Sequence, residues 1–333
     1  MFGLTKQNKM KLSIVIAAYN VELFIEKCIK SCYDERYIRQ YEIIIINDGS
    51  TDTTALVAQK LINQIPNLKI INKTNEGLGA ARNSGIKEAS AEYIWMIDGD
   101  DFLKYNSLKT IISILSSQEY DCYAFNYNIV NANYDLISIK YPSEYIKKVL
   151  SGSSYYDQYF QNSYTWQYVF RRELFTNNQL KFQERINMQD TEILPKIMYH
   201  TKSVRYIDKV LYNYVQQENS FTNTKNAQKR INYFESIITV KSSLESFAKE
   251  IQFKDPVLYQ GIQKKIISLH EVVFNHLVFF DYSNTTFKHI INLLKLYNFY
   301  PLKYNPIGKL KWVKIGLNID PQLAKKIINL IRK

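Results

Sequence analysis

The sequence predicts an α/β fold: an open, twisted, mainly parallel sheet with helices on both faces, followed by a helical C-terminal region. Three observations lead there. Over the first 130 residues, short β-branched runs alternate strictly with stretches of helical apolar spacing, the signature of parallel βαβ units. Each of the main runs ends in a polar cluster. From about Gln228 onward the spacing is helical throughout.

The elements follow in order. Leu12 to Ala18 (LSIVIAA) reads as a strand buried on both faces. Val21 to Tyr33 carries Leu23, Ile25, Cys28, Ile29 and Cys32 at helical spacing. Glu42 to Ile46 is a second buried strand that runs into the turn signal Asn47-Asp48-Gly49-Ser50. Ser50 or Thr51 can cap a helix from Asp52 to about Asn63. A strand at Leu68 to Ile71, a helix at Leu78 to Ala89 and a strand at Tyr93 to Ile97 follow, and Asp98-Gly99-Asp100-Asp101 comes at once. A helix over Ser107 to Ser117 leads to a strand near Cys122 to Tyr127. Residues 141–180 are rich in tyrosine and short elements. Asp190 to His200 reads as a helix with acids in its first turn, which suits the helix dipole. Val204 to Ile207 and Leu211 to Val215 are short strands, and helices are expected over Ile231 to Lys249 and Val257 to Phe280. The domains expected are a tail at 1–10, an α/β domain at 11–225 (halves 11–130 and 131–225) and a basic helical region at 226–333.

Composition narrows the function classes. Of 333 residues 46% are hydrophobic, so the chain buries a core and is neither disordered nor fibrous. The net charge of +12 suggests an anionic partner. Its distribution is more informative. Residues 1–120 carry 14 basic and 14 acidic side chains, residues 121–286 carry 19 and 16, and residues 287–333 carry 10 and 1. The excess therefore sits at the C-terminal end, where Phe299, Tyr300, Tyr304 and Trp312 stand among Lys303, Lys309, Lys311 and Lys314. Basic and aromatic residues together suit peripheral contact with an anionic membrane through residues 287–333; a solvated basic helical face is the plainer reading. No zinc-finger spacing or aromatic RNA-binding signature accompanies the charge, so nucleic acid is not expected.

Cys28, Cys32 and Cys122 form no disulfide framework and no metal-binding spacing, and a reducing, cytoplasmic compartment fits. The run Leu12 to Ala18 follows basic residues like a signal peptide, but Tyr19, Asn20 and Glu22 stand where a small-residue cleavage site would be. No apolar run is long enough to span a bilayer.

The chemistry is expected where the polar clusters meet. Tyr19-Asn20, Asp48 and Asp98 to Asp101 each follow a strand, and in an open α/β sheet that edge binds ligands. Asp98-Gly99-Asp100 is a DxD: two carboxylates in a tight turn can share a divalent cation with a diphosphate. Alone it is equally a solvated acidic turn in which Asp101 caps the next helix.

SIVIAAYN (Ser13 to Asn20), IIIINDGSTDTT (Ile43 to Thr54), NEGLGAARNSGI (Asn75 to Ile86) and YIWMIDGDD (Tyr93 to Asp101) occur in this order. The series resembles the family-2 glycosyltransferases of GT-A (Rossmann-like) fold over roughly residues 11–220, and Phe182 to Thr222 resembles their acceptor-side half. The resemblance implies an inverting, metal-dependent transfer of a sugar from a nucleotide-sugar, a UDP-sugar above all. The acceptor would be a hydroxyl of a glycan or lipid-linked glycan in bacterial capsule, lipopolysaccharide or exopolysaccharide synthesis at the inner face of the plasma membrane.

The resemblance also assigns residues. The backbone at Ala17 to Tyr19 and the Asp48 carboxylate would hold the base, and Arg82 and Asn83 would lie beside the donor. Asp98 would reach the ribose, Asp100 with Asp98 nearby would hold Mn²⁺ or Mg²⁺, and Asp190 would be the catalytic base. Gly77 and Gly79 would let the backbone approach the ligand. The bland alternatives are Asp48 as a turn former, Arg82 as a surface ion pair and Asp190 as a helix cap.

The sequence departs from the family pattern at Gln189, an amide where an acid pair is usual, and at Val215 to Gln217, where many relatives carry arginines that face the diphosphate. Arg205, Lys209 or Lys225 could compensate for the arginines. Trp166 is either a sugar-stacking ring or core. The departures motivate a rival reading, a non-catalytic nucleotide-sugar-binding or scaffolding protein. A nucleotidyltransferase would need a glycine-rich basic phosphate loop near the N-terminus, and AAYNVE is not one.

Overall fold

The computed structural model describes residues 10–141, 148–159, 163–217 and 226–331, without the side chains of 330 and 331. The expected tail, apart from its last residue, and Lys225 lie outside the described residues. The chain divides into two compact units, one of residues 1–185 and 189–218 and one of residues 186–188 and 219–333.

The first unit is built on one nine-stranded sheet. Its elements are β1 (Leu12–Ala18), α1 (Ile25–Ser31), β2 (Tyr41–Asp48), α2 (Thr54–Leu61), β3 (Leu68–Lys73), α3 (Leu78–Glu88), β4 (Tyr93–Asp98), β5 (Phe102–Leu103) and α4 (Ser107–Ser117). They continue with β6 (Cys122–Val130), β7 (Leu136–Lys140), α5 (Gly152–Tyr159), β8 (Tyr168–Arg171), α6 (Glu173–Asn177), α7 (Gln189–His200) and β9 (Val204–Val215). The spatial order is β3-β2-β1-β4-β8-β6-β9-β5, with β7 beside β6.

The first four strands are parallel, as their doubly buried apolar runs predict. The second half is mixed: β8 lies antiparallel between β4 and β6, while β9 runs parallel to β6. The two short strands expected at 204–215 are one strand. The register slips where Phe125 pairs with Ile207 but Asn126 with Val210, which leaves Asp208 and Lys209 exposed at the irregularity.

Register fixes the active edge. Ala17 lies opposite Asp98, Ala18 opposite Asn47 and Asp48 opposite Lys73, so three polar clusters end at one level of the sheet. Beneath them the core is continuous, with Ile14, Ile16, Ile43, Ile45, Trp95 and Ile97 fully buried. Helix α3 lies close on β1 because Gly85 has no side chain; a Cβ there would come within 2.1 Å of Val15 Cγ1.

Helix α1 begins four residues later than its apolar spacing suggests. Val21 N–H donates to Thr54 Oγ1 (2.8 Å) and Glu22 N–H to Asp52 (3.2 Å), so this stretch serves as a loop clamp. Ser50 does not cap α2: it accepts from Asn20 N–H (3.1 Å) and ties the same two loops together.

The second unit is helical: α8 (Ala227–Ile251), α9 (Pro256–Phe279), α10 (Asn284–Leu296), α11 (Leu310–Ile319) and α12 (Pro321–Ile331). Asn226, Asp255 and Ser283 cap the first three with side-chain hydrogen bonds. Among the described residues, no helix is long and apolar enough to cross a membrane.

Candidate active site

The acids at the end of β4 are organised from β9. Asp101 is buried and accepts from Tyr212 Oη–H (2.7 Å) and Val215 N–H (2.7 Å). The same hydroxyl accepts from Asp98 N–H (3.2 Å). Asp101 therefore does not cap α4; it anchors the DxD turn to the opposite half of the sheet. Burial first, then the charges of Asp100 and Asp98, pushes its carboxyl well above the usual range. Gly99 closes the turn by donating its N–H to Ala17 O (2.9 Å), where a Cβ would collide at the same 2.9 Å.

Asp98 and Asp100 are the two open acids. Asp98 accepts from Arg82 Nη2 (2.7 Å) through one oxygen, and Asp100 accepts from Gln217 Nε2 (3.0 Å) through one oxygen. Their other carboxylate oxygens accept no hydrogen bond among the described residues. Burial and the neighbouring Asp98 push Asp100 up to about 6. Two hard oxygen donors set two residues apart in one tight turn fit a shared divalent cation. Among the described residues no set of three or more His, Cys, Asp or Glu could hold a metal ion by itself. Such a cation would therefore be completed by a diphosphate and water.

Arg82 joins this turn to Asp190. It is 1% exposed, and its guanidinium donates through Nη1 to Asp190 and through Nη2 to Asp98. It is a buried bridge, not a surface ion pair. Asp190 stands in the first turn of α7 and also accepts from Thr165 Oγ1–H (3.1 Å) and Thr165 N–H (3.3 Å). Burial raises its proton affinity while the Arg82 charge opposes the rise. A carboxylate held between those influences is suited to take a proton.

Three of the residues expected near the donor have protein partners here. Asp48 was to present a carboxylate to a base, but Lys73 Nζ (3.1 Å) and the N–H groups of Glu76 (3.1 Å) and Gly77 (2.8 Å) occupy both oxygens. It folds the 75–77 loop against the sheet. Asn83 was to lie beside the donor, but its amide clasps the Phe182 backbone, donating to O (2.9 Å) and accepting from N–H (2.8 Å). Gly79 makes room for protein and not ligand, since a Cβ would lie 2.5 Å from Gln183 O.

The rim is formed by Tyr19, which is half exposed, and by the left-handed Asn20, whose Oδ1 accepts from Thr51 N–H (2.8 Å). Arg205 and Lys209 lie toward the start of β9, about 20 Å or more along the strand from Gln217. They cannot replace the arginines that Val215 to Gln217 lack.

Trp166 is core. It stacks on Tyr212 (4.4 Å between centroids, 6°), and its backbone O accepts from Trp95 Nε1–H (2.9 Å). The exposed end of this stack is Tyr164, 41% exposed and 4.8 Å from Trp166 at 11°. Tyr164 adjoins Thr165 in the chain, and burial first, then the Asp190 charge, raises its phenol. The sequence signal was present, an aromatic two residues before Trp166, but only the fold shows which ring is outermost.

Residues 13–191 match the sequence profile described as "Glycosyl transferase family 2", more than half of the chain. The chain belongs to glycosyl transferase family 2. Within the family it is 29% identical over 218 residues to EpsJ of Bacillus subtilis, an uncharacterized glycosyltransferase, which covers 63% of this chain and 62% of that protein. It is 25% identical over 268 residues to the uncharacterized YibD of Escherichia coli, covering 76% and 78%. The chain thus spans somewhat under two thirds of EpsJ.

Among solved structures, the S. aureus TarS 1–349 complex with UDP-GlcNAc aligns with a TM-score of 0.67 at 18% identity, covering 97% of this chain and 92% of that one. The mannosyltransferase PcManGT of Pyrobaculum calidifontis, in complex with GDP-Man and Mn²⁺, aligns at 0.51 and 14% identity, covering 98% and 88%. At these identities the likeness shows the fold, which is GT-A.

Proposed function

We propose that this family-2 chain transfers a sugar from a nucleotide-sugar, in the first instance a UDP-sugar, to a hydroxyl of a glycan or lipid-linked glycan, with inversion. The observation that carries the reading is the buried Arg82, which holds the candidate base Asp190 and the DxD residue Asp98 on one guanidinium. A base and a diphosphate site joined in this way suit a single displacement. The acceptor oxygen bonds to the anomeric carbon, the bond from that carbon to the phosphate oxygen breaks, and the acceptor proton passes to Asp190. A divalent cation held by Asp98 and Asp100 would neutralise the departing diphosphate. Gln217 orients Asp100, and Tyr164 offers an aromatic face for the acceptor ring.

Gln189 in place of the usual acid supports a second reading, a non-catalytic nucleotide-sugar-binding protein. Asp190→Asn separates the two. We expect it to keep donor affinity, measured by calorimetry with Mn²⁺, and to lower transfer about 10³-fold. Near-normal transfer would remove Asp190 as the base. Wild-type protein that binds donor but releases no nucleoside diphosphate with any acceptor would favour the second reading.

A further inference from the structure

Helices α11 and α12 each bury one side and leave apolar side chains on the other. Leu317 of α11 and Ala324 and Ile328 of α12 are buried, and Gly316 faces Ala324. Trp312 (75% exposed), Ile315 and Ile319 (79%) are spaced i, i+3, i+7 and share one outward face of α11. Ile307 lies exposed just before it, and Leu323 and Ile327 are exposed on α12. At 100° per residue, Lys309 and Lys311 fall on either side of the Trp312 stripe.

The charge around this face is uncompensated. Asp320 is the only acid in residues 287–333, and its carboxylate accepts from Gln322 N–H (3.0 Å) and Leu323 N–H (3.0 Å). Among the described residues neither Lys309 nor Lys311 has a carboxylate within ion-pair distance. A contiguous apolar stripe between unpaired lysines, with a tryptophan on it, has the layout of a helix lying in a bilayer interface.

We infer that the exposed face of α11, with the exposed Leu323 and Ile327 of α12, docks this protein on an anionic lipid bilayer. Trp312, Ile315 and Ile319 enter the boundary between headgroups and acyl chains, and Lys309 and Lys311 meet the lipid phosphates. A second copy of the chain fits the face poorly, because it would set two strongly basic surfaces together without acids. Nucleic acid would satisfy the lysines and leave the apolar stripe in water. The inference does not depend on the proposed transfer reaction.

Trp95 and Trp166 are buried, so a change of tryptophan emission on adding lipid reports on Trp312. The full chain is mixed with phosphatidylcholine vesicles with and without phosphatidylglycerol. Emission should shift to the blue, and the protein should co-sediment, only with the anionic vesicles, and salt should weaken both effects. Ile315→Ser with Ile319→Ser, and separately Lys309→Gln with Lys311→Gln, should each lower partitioning about tenfold or more with an unchanged melting curve. Absence of binding by the wild-type chain would overturn the inference. So would binding that both double variants retain. A blue shift that rises with protein concentration without lipid, matched by dimerisation in ultracentrifugation, would give the face to a second copy and overturn it equally.

Discussion

The α/β unit and the helical unit bury charge of opposite sign. Among the described residues, Asp48, Asp101 and Glu192 are the buried acids of the first, with Arg82 its buried cation. The second buries Arg230, Lys241, Lys265 and Lys325, and no acid. The partners of Arg82 and Asp101 differ as well from those in the helical unit. In the α/β unit Arg82 binds side chains 16 and 108 positions away, and Tyr212 reaches Asp101 across 111. In the helical unit Lys241 pairs with Glu245 one turn on (2.7 Å), and Lys325 donates to the backbone O of Tyr282 (2.7 Å). A buried charge needs a partner in both units. Where the partners are distant charges they assemble a site; where they are turns and neighbours they hold helices in place.

Removing the buried cation of the α/β unit is the hardest test of that contrast. Arg82→Ala leaves Asp190 and Asp98 without their shared partner and should cost about 3 kcal/mol, read as a lowered midpoint in urea. An unchanged midpoint would show that the bridge is decorative.

Acid should act on the helical unit instead. Burial, with Lys241 and Lys303 nearby, lowers His270 to about 4, and His276 is lowered in the same direction. The folded state then binds fewer protons than the unfolded chain between pH 6.5 and 4. Stability falls as pH drops through that window, by about 2–3 kcal/mol for His270. Urea midpoints at stepped pH should show the loss, and His270→Gln should flatten it.

The smallest effect is expected at Gln217. Gln217→Arg sets a cation beside Asp100 and should weaken Mn²⁺ binding a few-fold in a calorimetric titration, with the fold intact. Tighter binding would contradict the placement of Asp100 in the cation site.

The parallel half of the fold was legible because strands covered on both faces leave unbroken apolar runs, as at Leu12 to Ala18 and Tyr93 to Ile97. The span of α4 was legible end to end. The antiparallel insertion of β8 was not. Four residues, Tyr168–Arg171, carry too little pattern to reveal which neighbours they join. Within the site, the DxD and Asp190 stand out as acids at element ends. Asp101 looked like a helix cap, and nothing near it in the chain signals Tyr212. Trp166 and Tyr164 have similar chemistry, and burial alone separates them. The protein partners of Asp48 and Asn83 were not legible for one reason: a polar residue in a motif can also serve the loop that forms the site.

The hydroxyl of Tyr212, shared between Asp98 N–H and Asp101, has a consequence for the chain during its synthesis. The DxD acids leave the ribosome more than 100 residues before the strand that secures them. At cellular elongation rates that is a gap of about ten seconds. During it the nascent chain holds clustered acids with no β9 to accept from, so the first half of the sheet must wait, unfinished, for its last strand.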